Sequence, residues 1–164
     1  MQRNSLFTGN NPLVNYCKAN LLDLLAIEQL EKDCFPTEAF NRRLIKNLLI
    51  NAKSFIIKAT TPPGKIMGNI IGITKKENNI SVGRIFSLCV LDEYRKKGIA
   101  TRLVQLLEEE FSLRGIKKIG LEVSIHNTIA HQFYKRLGYS MSTIVLPGFY
   151  NDGTDALVMF KNLP

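Results

Sequence analysis

Between Ser87 and Thr101 a strand runs through a basic turn with one glycine directly into a helix: Ser87-Leu88-Cys89-Val90-Leu91, then Asp92-Glu93-Tyr94, then Arg95-Lys96-Lys97-Gly98-Ile99-Ala100-Thr101. A helix leaves its first amide N–H groups without intrahelical partners and carries partial positive charge at that end, so such a junction can hold a pyrophosphate. Gly98 lets the backbone approach phosphates closely, and Arg95, Lys96 and Lys97 add positive charge around the amides. The segment is neither a G-x-x-x-x-G-K loop nor a G-x-G-x-x-G fingerprint. Alone, a basic turn before a helix also reads as a solvated cap.

Around this junction the periodicities alternate. Residues 13–18 read as a strand, and Leu22, Leu25, Ile27 and Leu30 give a helical stripe over 21–32 that Pro36 prevents from passing Cys34-Phe35. A second helix is expected from Thr37, with Thr37 as cap, Glu38 in the first turn, and Phe40, Leu44 and Leu48 on one face. Residues 54–60, 66–74 and 81–91 read as an antiparallel meander, with turns at 61–65 and 75–79. Ala100, Leu103, Val104, Leu107 and Phe111 mark a helix ending at Gly115, and Ile119, Leu121 and Val123 alternate as a strand. A helix over 127–137, stopped by Gly138, and strands near 140–146 and 155–160 complete the order. The pattern implies an α/β fold, a mixed sheet with helices on both faces. Residues 1–11 are expected to be a flexible tail, and 12–164 a single domain.

The 164 residues, 45% hydrophobic, can fill one sizeable core. No stretch reaches the roughly 18 apolar residues of a membrane helix, and the first residues lack a secretory apolar stretch. A soluble cytoplasmic protein with no membrane partner is expected. Cys17, Cys34 and Cys89 are odd in number and widely spaced, and His126 and His131 lack metal-site spacing, so neither a disulfide framework nor a metal is expected. The formal charge of +8 favours anionic partners. Basic residues form no long run and the aromatics are not interleaved with them, so no direct contact with nucleic acid is required.

A second segment joins the first: Leu121-Glu122-Val123-Ser124-Ile125-His126-Asn127, followed by Ala130, Phe133, Tyr134, Leu137 and Gly138. Together the two resemble the GNAT acetyltransferases, whose Arg/Gln-x-x-Gly-x-Gly/Ala motif matches Arg95 to Ala100 and whose Asn-x-x-Ala-x-x-x-Tyr pattern matches Asn127 to Tyr134. Cys34-Phe35-Pro36 and Gly148-Phe149-Tyr150-Asn151-Asp152-Gly153-Thr154-Asp155-Ala156 extend the likeness to the protein N-terminal acetyltransferases, particularly the ribosomal-protein alanine acetyltransferases. One departure is Phe149, where relatives often carry a tyrosine beside Tyr150.

The resemblance implies a GNAT fold, with a central, mostly antiparallel sheet, and acetyl-CoA as co-substrate. It implies cofactor contacts from Leu88, Cys89 and Val90 along the strand, from Arg95, Lys96, Lys97, Gly98, Ile99, Ala100 and Thr101 at the turn, and from Asn127. Glu122, opposite in strand parity to Ile119, Leu121 and Val123, is implied as the base that takes the amine proton, directly or through water. Tyr134 is implied as the acid at the departing thiolate. From the residues alone Glu122 reads as a solvated strand residue, Tyr134 as core and Asn127 as a helix cap, and only the resemblance reverses the reading of Glu122. Cys89, with no adjacent base, reads as a small buried hydrophobe rather than a nucleophile, which favours direct transfer. Phe35 and Tyr150 are expected to line a groove for a protein N-terminus, a ribosomal protein among the acceptors. The competing readings are a GNAT enzyme for a polyamine, antibiotic or lysine side chain, and a non-catalytic basic binding module.

Overall fold

Consecutive apolar residues in the central strands go to opposite sides of one sheet. In strand β2 (Ser54–Thr60) Phe55 enters one core and Ile56 the other, and in β3 (Ile66–Glu77) Ile70 and Ile71 divide in the same way. A strand buried on both faces needs no polar alternation, and β2 and β3 read accordingly as near-continuous apolar runs. The computed structural model describes residues 13–164, so the expected tail over 1–11 lies outside the described residues.

The described residues form a seven-stranded sheet in the order β1-β2-β3-β4-β5-β7-β6. The remaining strands are β1 (Asn15–Lys18), β4 (Ile80–Val90), β5 (Lys118–Ser124), β6 (Ser140–Leu146) and β7 (Ala156–Asn162). Every pairing is antiparallel except β4 with β5. Helices α1 (Leu24–Cys34) and α2 (Arg42–Ile50) cover one face through Ile27, Leu30, Ile45 and Leu48. On the other, α3 (Ile99–Leu113) buries Leu103, Val104, Leu107 and Phe111, and α4 (Thr128–Arg136) adds Tyr134. The expected order and mixed, mostly antiparallel architecture are found, with helices on both faces.

Local chemistry sets the boundaries. The stripe expected as one helix over 21–32 begins as a 3-10 turn (Leu21–Asp23), with Asn20 Oδ1 accepting from Leu22 N and Asp23 Oδ2 from Asn20 N, each at 2.9 Å; α1 then runs to Cys34 and stops before Pro36. The expectation that α2 starts at Thr37 is corrected. Its cap is Asn41, whose Oδ1 accepts from Leu44 N at 2.9 Å, so Thr37, Glu38 and Phe40 lie in the preceding connection. The β3–β4 turn is also tighter than expected, because Asn78 and Asn79 adopt positive φ (48° and 65°) and the ladder runs unbroken up to them.

A bulge in β4 decides which side chains reach α1. Ile71 pairs with Ser87 and Gly72 with Ile85, leaving Phe86 as the extra residue. The insertion reverses side-chain parity, so Phe86 and Ser87 both face α1, while Ile85 and Leu88 face the α3 core.

Candidate active site

β4 and β5 start side by side and then part. Gly83 against Ile119 and Arg84 against Gly120 are the pairs that join them among the described residues, after which β4 continues to Val90 and β5 to Ser124. The facing edge of β4 is thereby left with backbone groups that an extended ligand can pair with. A cavity of about 280 Å³ opens in the splay. Its lining brings together Leu88, Glu122, Asn127, Tyr134, Phe35 and Tyr150, all singled out from the sequence. Cys89 and Val90 are not in the lining: the Cys89 side chain packs in the α1 core, with Sγ 3.3 Å from Asn69 Oδ1, and Val90 enters the α3 core.

The basic turn lies beyond this cavity, at the end of β4. Gly98 has φ +77°, a left-handed conformation that disfavours any side chain, and a Cβ built there meets nothing within 4 Å. Gly98 supplies no side-chain cap, and among the described residues the amides of Gly98, Ile99, Ala100 and Thr101 make no hydrogen bond. They remain available to an anion at the positive end of a 15-residue helix. The side chains divide the work unequally. Arg95 Nε donates to Val90 O at 3.0 Å and its guanidinium meets Asp92 at 2.9 Å, while Lys97 Nζ donates to Glu93 O at 3.1 Å; these bonds brace the turn. Ile99 is a core side chain, and Lys96 holds positive φ, 60°. A splayed strand edge leading to unpartnered amides fits a pantetheine arm ending in a pyrophosphate.

At the inner end of the cavity, Glu122 Oε2 accepts from Arg84 Nε at 2.7 Å, with side-chain exposures of 14% and 21%. The Arg84 guanidinium also sits 5.2 Å from the Phe86 ring, which stacks on Phe40 at 4.7 Å. Opposite them Tyr134 packs edge-on against Tyr139 at 5.3 Å, so it is at once core and site. Burial pushes its phenol well above the ordinary value, and neighbouring Tyr150 adds to the effect. Tyr150 is raised in turn by burial first and by Glu122 second. Asn127 keeps its capping role, accepting from Ala130 N at 3.0 Å, and lines the cavity as well.

Arg84 and Glu31 were not singled out from the sequence. Glu31, 1% exposed, accepts from Ser87 Oγ at 2.7 Å and lines the cavity floor; burial, outweighing its hydrogen bonds, pushes its carboxyl up. Its signal was present, since Glu31 falls four residues after Ile27 on the buried stripe of α1. For Arg84 the signal was the single charged residue, next to Ile85, in a mostly apolar strand. Cys89 is pushed well up by its hydrogen bond with Cys34 and by burial, which keeps it a thiol. His131 bonds through Nε2 to the Ser124 carbonyl at 2.9 Å, and no metal-holding cluster of His, Cys, Asp or Glu occurs among the described residues. No helix among them is long and apolar enough to cross a membrane.

Residues 23–139 match the model of the acetyltransferase (GNAT) family. The chain is 34% identical over 143 residues to an uncharacterised N-acetyltransferase of Methanocaldococcus jannaschii, the match covering 87% of each. It is 32% identical over 148 residues to N-alpha-acetyltransferase 20 of Dictyostelium discoideum, covering 87% of this chain and 82% of that one. A chain of the NatB acetyltransferase complex, solved bound to CoA and MES, superposes with a TM-score of 0.79 at 28% identity, covering 91% of this chain and 99% of that chain.

Proposed function

The chain belongs to the GNAT acetyltransferase family, and from that premise we propose that it acetylates the N-terminal α-amine of a protein in the cytoplasm, a ribosomal protein among its acceptors. It is an enzyme that uses acetyl-CoA. The observation that carries the acceptor assignment is the groove in front of Glu122. One wall comes from the α1–α2 connection with Phe35 and Glu38, the other from the β6–β7 connection with Tyr150. The two are tied by Asn151 N donating to Glu38 Oε1 at 2.7 Å. Such a groove suits an extended N-terminus, and relatives named as an N-alpha-acetyltransferase and as the catalytic subunit of an N-terminal acetyltransferase complex support the same reading.

Acetyl-CoA supplies an activated acetyl thioester. On this reading the turn amides of Gly98, Ile99, Ala100 and Thr101 hold its pyrophosphate, with Arg95, Lys96 and Lys97 shaping the turn and its charge. The β4 backbone at Leu88, Cys89 and Val90 aligns the pantetheine, and Asn127 steadies it next to Tyr134. The carboxylate of Glu122, fixed by Arg84 through Oε2, presents Oε1 to the amine or to an intervening water and takes the proton. Tyr134 acts at the leaving sulfur. An ordinary thiol has a pKa of about 8.5, so a phenol raised above its usual value holds its proton more tightly. Tyr134 therefore works as a hydrogen-bond donor whose bond strengthens as charge builds on sulfur. The carboxylates that the two connections supply, Glu38, Asp152 and Asp155, are engaged with Asn151 N, Thr154 N and Gly148 N rather than gathered into a polycation pocket.

The test is competition between N-terminal peptides and spermidine at equal concentration, with mass spectrometry locating the acetyl group. Acetylated N-termini are expected. Preference for spermidine, or acetylated lysines with free N-termini left untouched, would overturn the acceptor assignment.

A further inference from the structure

The ion pair at the inner end of the groove has a consequence for which amines react. Arg84 stands at the last register pair between β4 and β5, opposite Gly120, so its backbone is fixed where the strands begin to part. Its guanidinium is held between Glu122, at 2.7 Å, and the face of Phe86, itself stacked on Phe40. Pinned from two sides, the cation stays beside the carboxylate that has to receive the amine proton. The other titratable groups lining the cavity with Glu122 come from α1, α4 and the two connections. Tyr134 projects from α4 and Tyr150 from the β6–β7 connection, Glu31 lies in the floor from α1, and Glu38 at the rim is engaged with Asn151 N. Aromatic rings of Phe35, Phe40, Phe86 and Phe149 line the rest.

An ammonium entering this space loses hydration that ring contacts offset only in part, meets the positive charge of Arg84, and gains little from a carboxylate already neutralised. An uncharged amine incurs none of these costs. At neutral pH the uncharged fraction is set by the amine's own pKa, about 7.7 to 8.0 for an α-amine and about 10.4 for lysine, which gives the α-amine an advantage of about two to four hundredfold. We propose that Arg84 is a specificity-determining residue: clamped to Glu122, it restricts the groove to amines that arrive uncharged and so selects N-terminal α-amines over lysine side chains. This inference rests on the acceptor assignment above.

The experiment uses the full-length protein and two peptides, one with a free N-terminus and no lysine, the other N-terminally blocked with one lysine. kcat/KM is measured for each across pH 6 to 9 for wild type, Arg84→Gln, Arg84→Met and Arg84→Lys, with acetyl-CoA affinity and Tm as controls of folding. Gln keeps a hydrogen-bonding group near Glu122 without the charge, and Met serves in its place should that variant not fold. For wild type, kcat/KM on the α-amine is expected to rise with pH and level off near the pKa of the α-amine. In Arg84→Gln the preference for the α-amine over lysine should shrink by about tenfold or more, since the unneutralised carboxylate now attracts ammonium, and the rise with pH should flatten. Lys should restore both the preference and the pH profile. A folded, acetyl-CoA-binding Gln or Met variant with the wild-type preference and profile would overturn the role of Arg84 while leaving the N-terminal assignment standing. Wild type preferring the lysine peptide would instead remove the acceptor assignment, and this inference with it.

Discussion

Ser87 of β4 donates through Oγ to Glu31 Oε1 of α1 at 2.7 Å, joining sheet and helix beneath the active-site groove. Burial, the larger influence, raises the Glu31 carboxyl against the lowering effect of Ser87 and the Phe40 amide. A group whose folded pKa is raised contributes its full stability below the unfolded value, about 4.3, and loses it as pH rises toward the folded value. Glu31→Gln keeps an acceptor for Ser87 and cannot ionise. Its Tm relative to wild type should therefore climb as pH is raised from 4 through the weakly acidic range. A difference that stays constant across that range would mean that Glu31 is not held toward its neutral form.

Gly98 is the residue on which acetyl-CoA binding should depend most sharply. Because a Cβ there has open space but φ is +77°, Gly98→Ala should cost on the order of 1 kcal/mol of stability through backbone strain rather than through a clash. Gly98→Glu adds negative charge beside the unpartnered amides and should weaken acetyl-CoA binding severely. Calorimetry on the folded variants tests both, and wild-type affinity in Gly98→Glu would remove the turn from the cofactor site.

Proton transfer is tested by Glu122→Gln and Tyr134→Phe, each of which should lower kcat by roughly 10²- to 10⁴-fold while leaving acetyl-CoA affinity close to wild type. Phe preserves the edge contacts of Tyr134 with Phe133 and Tyr139, so Tm should change little. Wild-type turnover in both variants across the pH range would assign the proton transfers to other groups.

What the sequence made legible follows the range of the interactions involved. The order of helices and strands follows from periodicity, and the expectations at Glu122, Tyr134 and Asn127 rest on short motifs in which each residue keeps its spacing along one strand or helix. The start of α2 was misread because Thr37 looks like a cap locally. In the fold Glu38 is held by Asn151, 113 positions away, and Asn41 takes over the capping. The β4 bulge is equally silent, since strict alternation would set Ser87 on the side of Ile85 rather than toward Glu31. Arg84 and Glu122 are 38 positions apart and meet only through a parallel pairing of two register pairs, which no local pattern announces.

The groove itself depends on a latch between its two walls. Asn151 donates through its backbone N to Glu38 Oε1 at 2.7 Å and through Nδ2 to Thr37 O at 3.2 Å, joining the β6–β7 connection to the α1–α2 connection. The far wall is braced internally, with Gly148 N donating to Asp155 Oδ1 at 2.8 Å and Tyr150 N to Thr154 O at 3.1 Å. The contacts of Asn151 join this wall to the α1–α2 connection, while Asp155 O accepts from Ile125 N at 3.1 Å and anchors it beside β5. Both latch bonds are solvent-exposed, so each is worth about 0.5 to 1.5 kcal/mol and their loss should leave the fold intact. Glu38→Ala removes the acceptor of the backbone bond, and Asn151→Ala removes the side-chain bond while keeping the backbone N–H. Loosening the wall that carries Tyr150 should raise KM for an N-terminal peptide by roughly two- to twelvefold per bond lost, by the same energies. The turn amides proposed to hold acetyl-CoA follow the C-terminal end of β4 and take no part in the latch bonds, so cofactor affinity should not change. Steady-state kinetics with peptide and acetyl-CoA varied separately reads the two effects apart. A rise in KM for acetyl-CoA equal to that for the peptide would mean that the connections support the whole cleft rather than the acceptor groove alone.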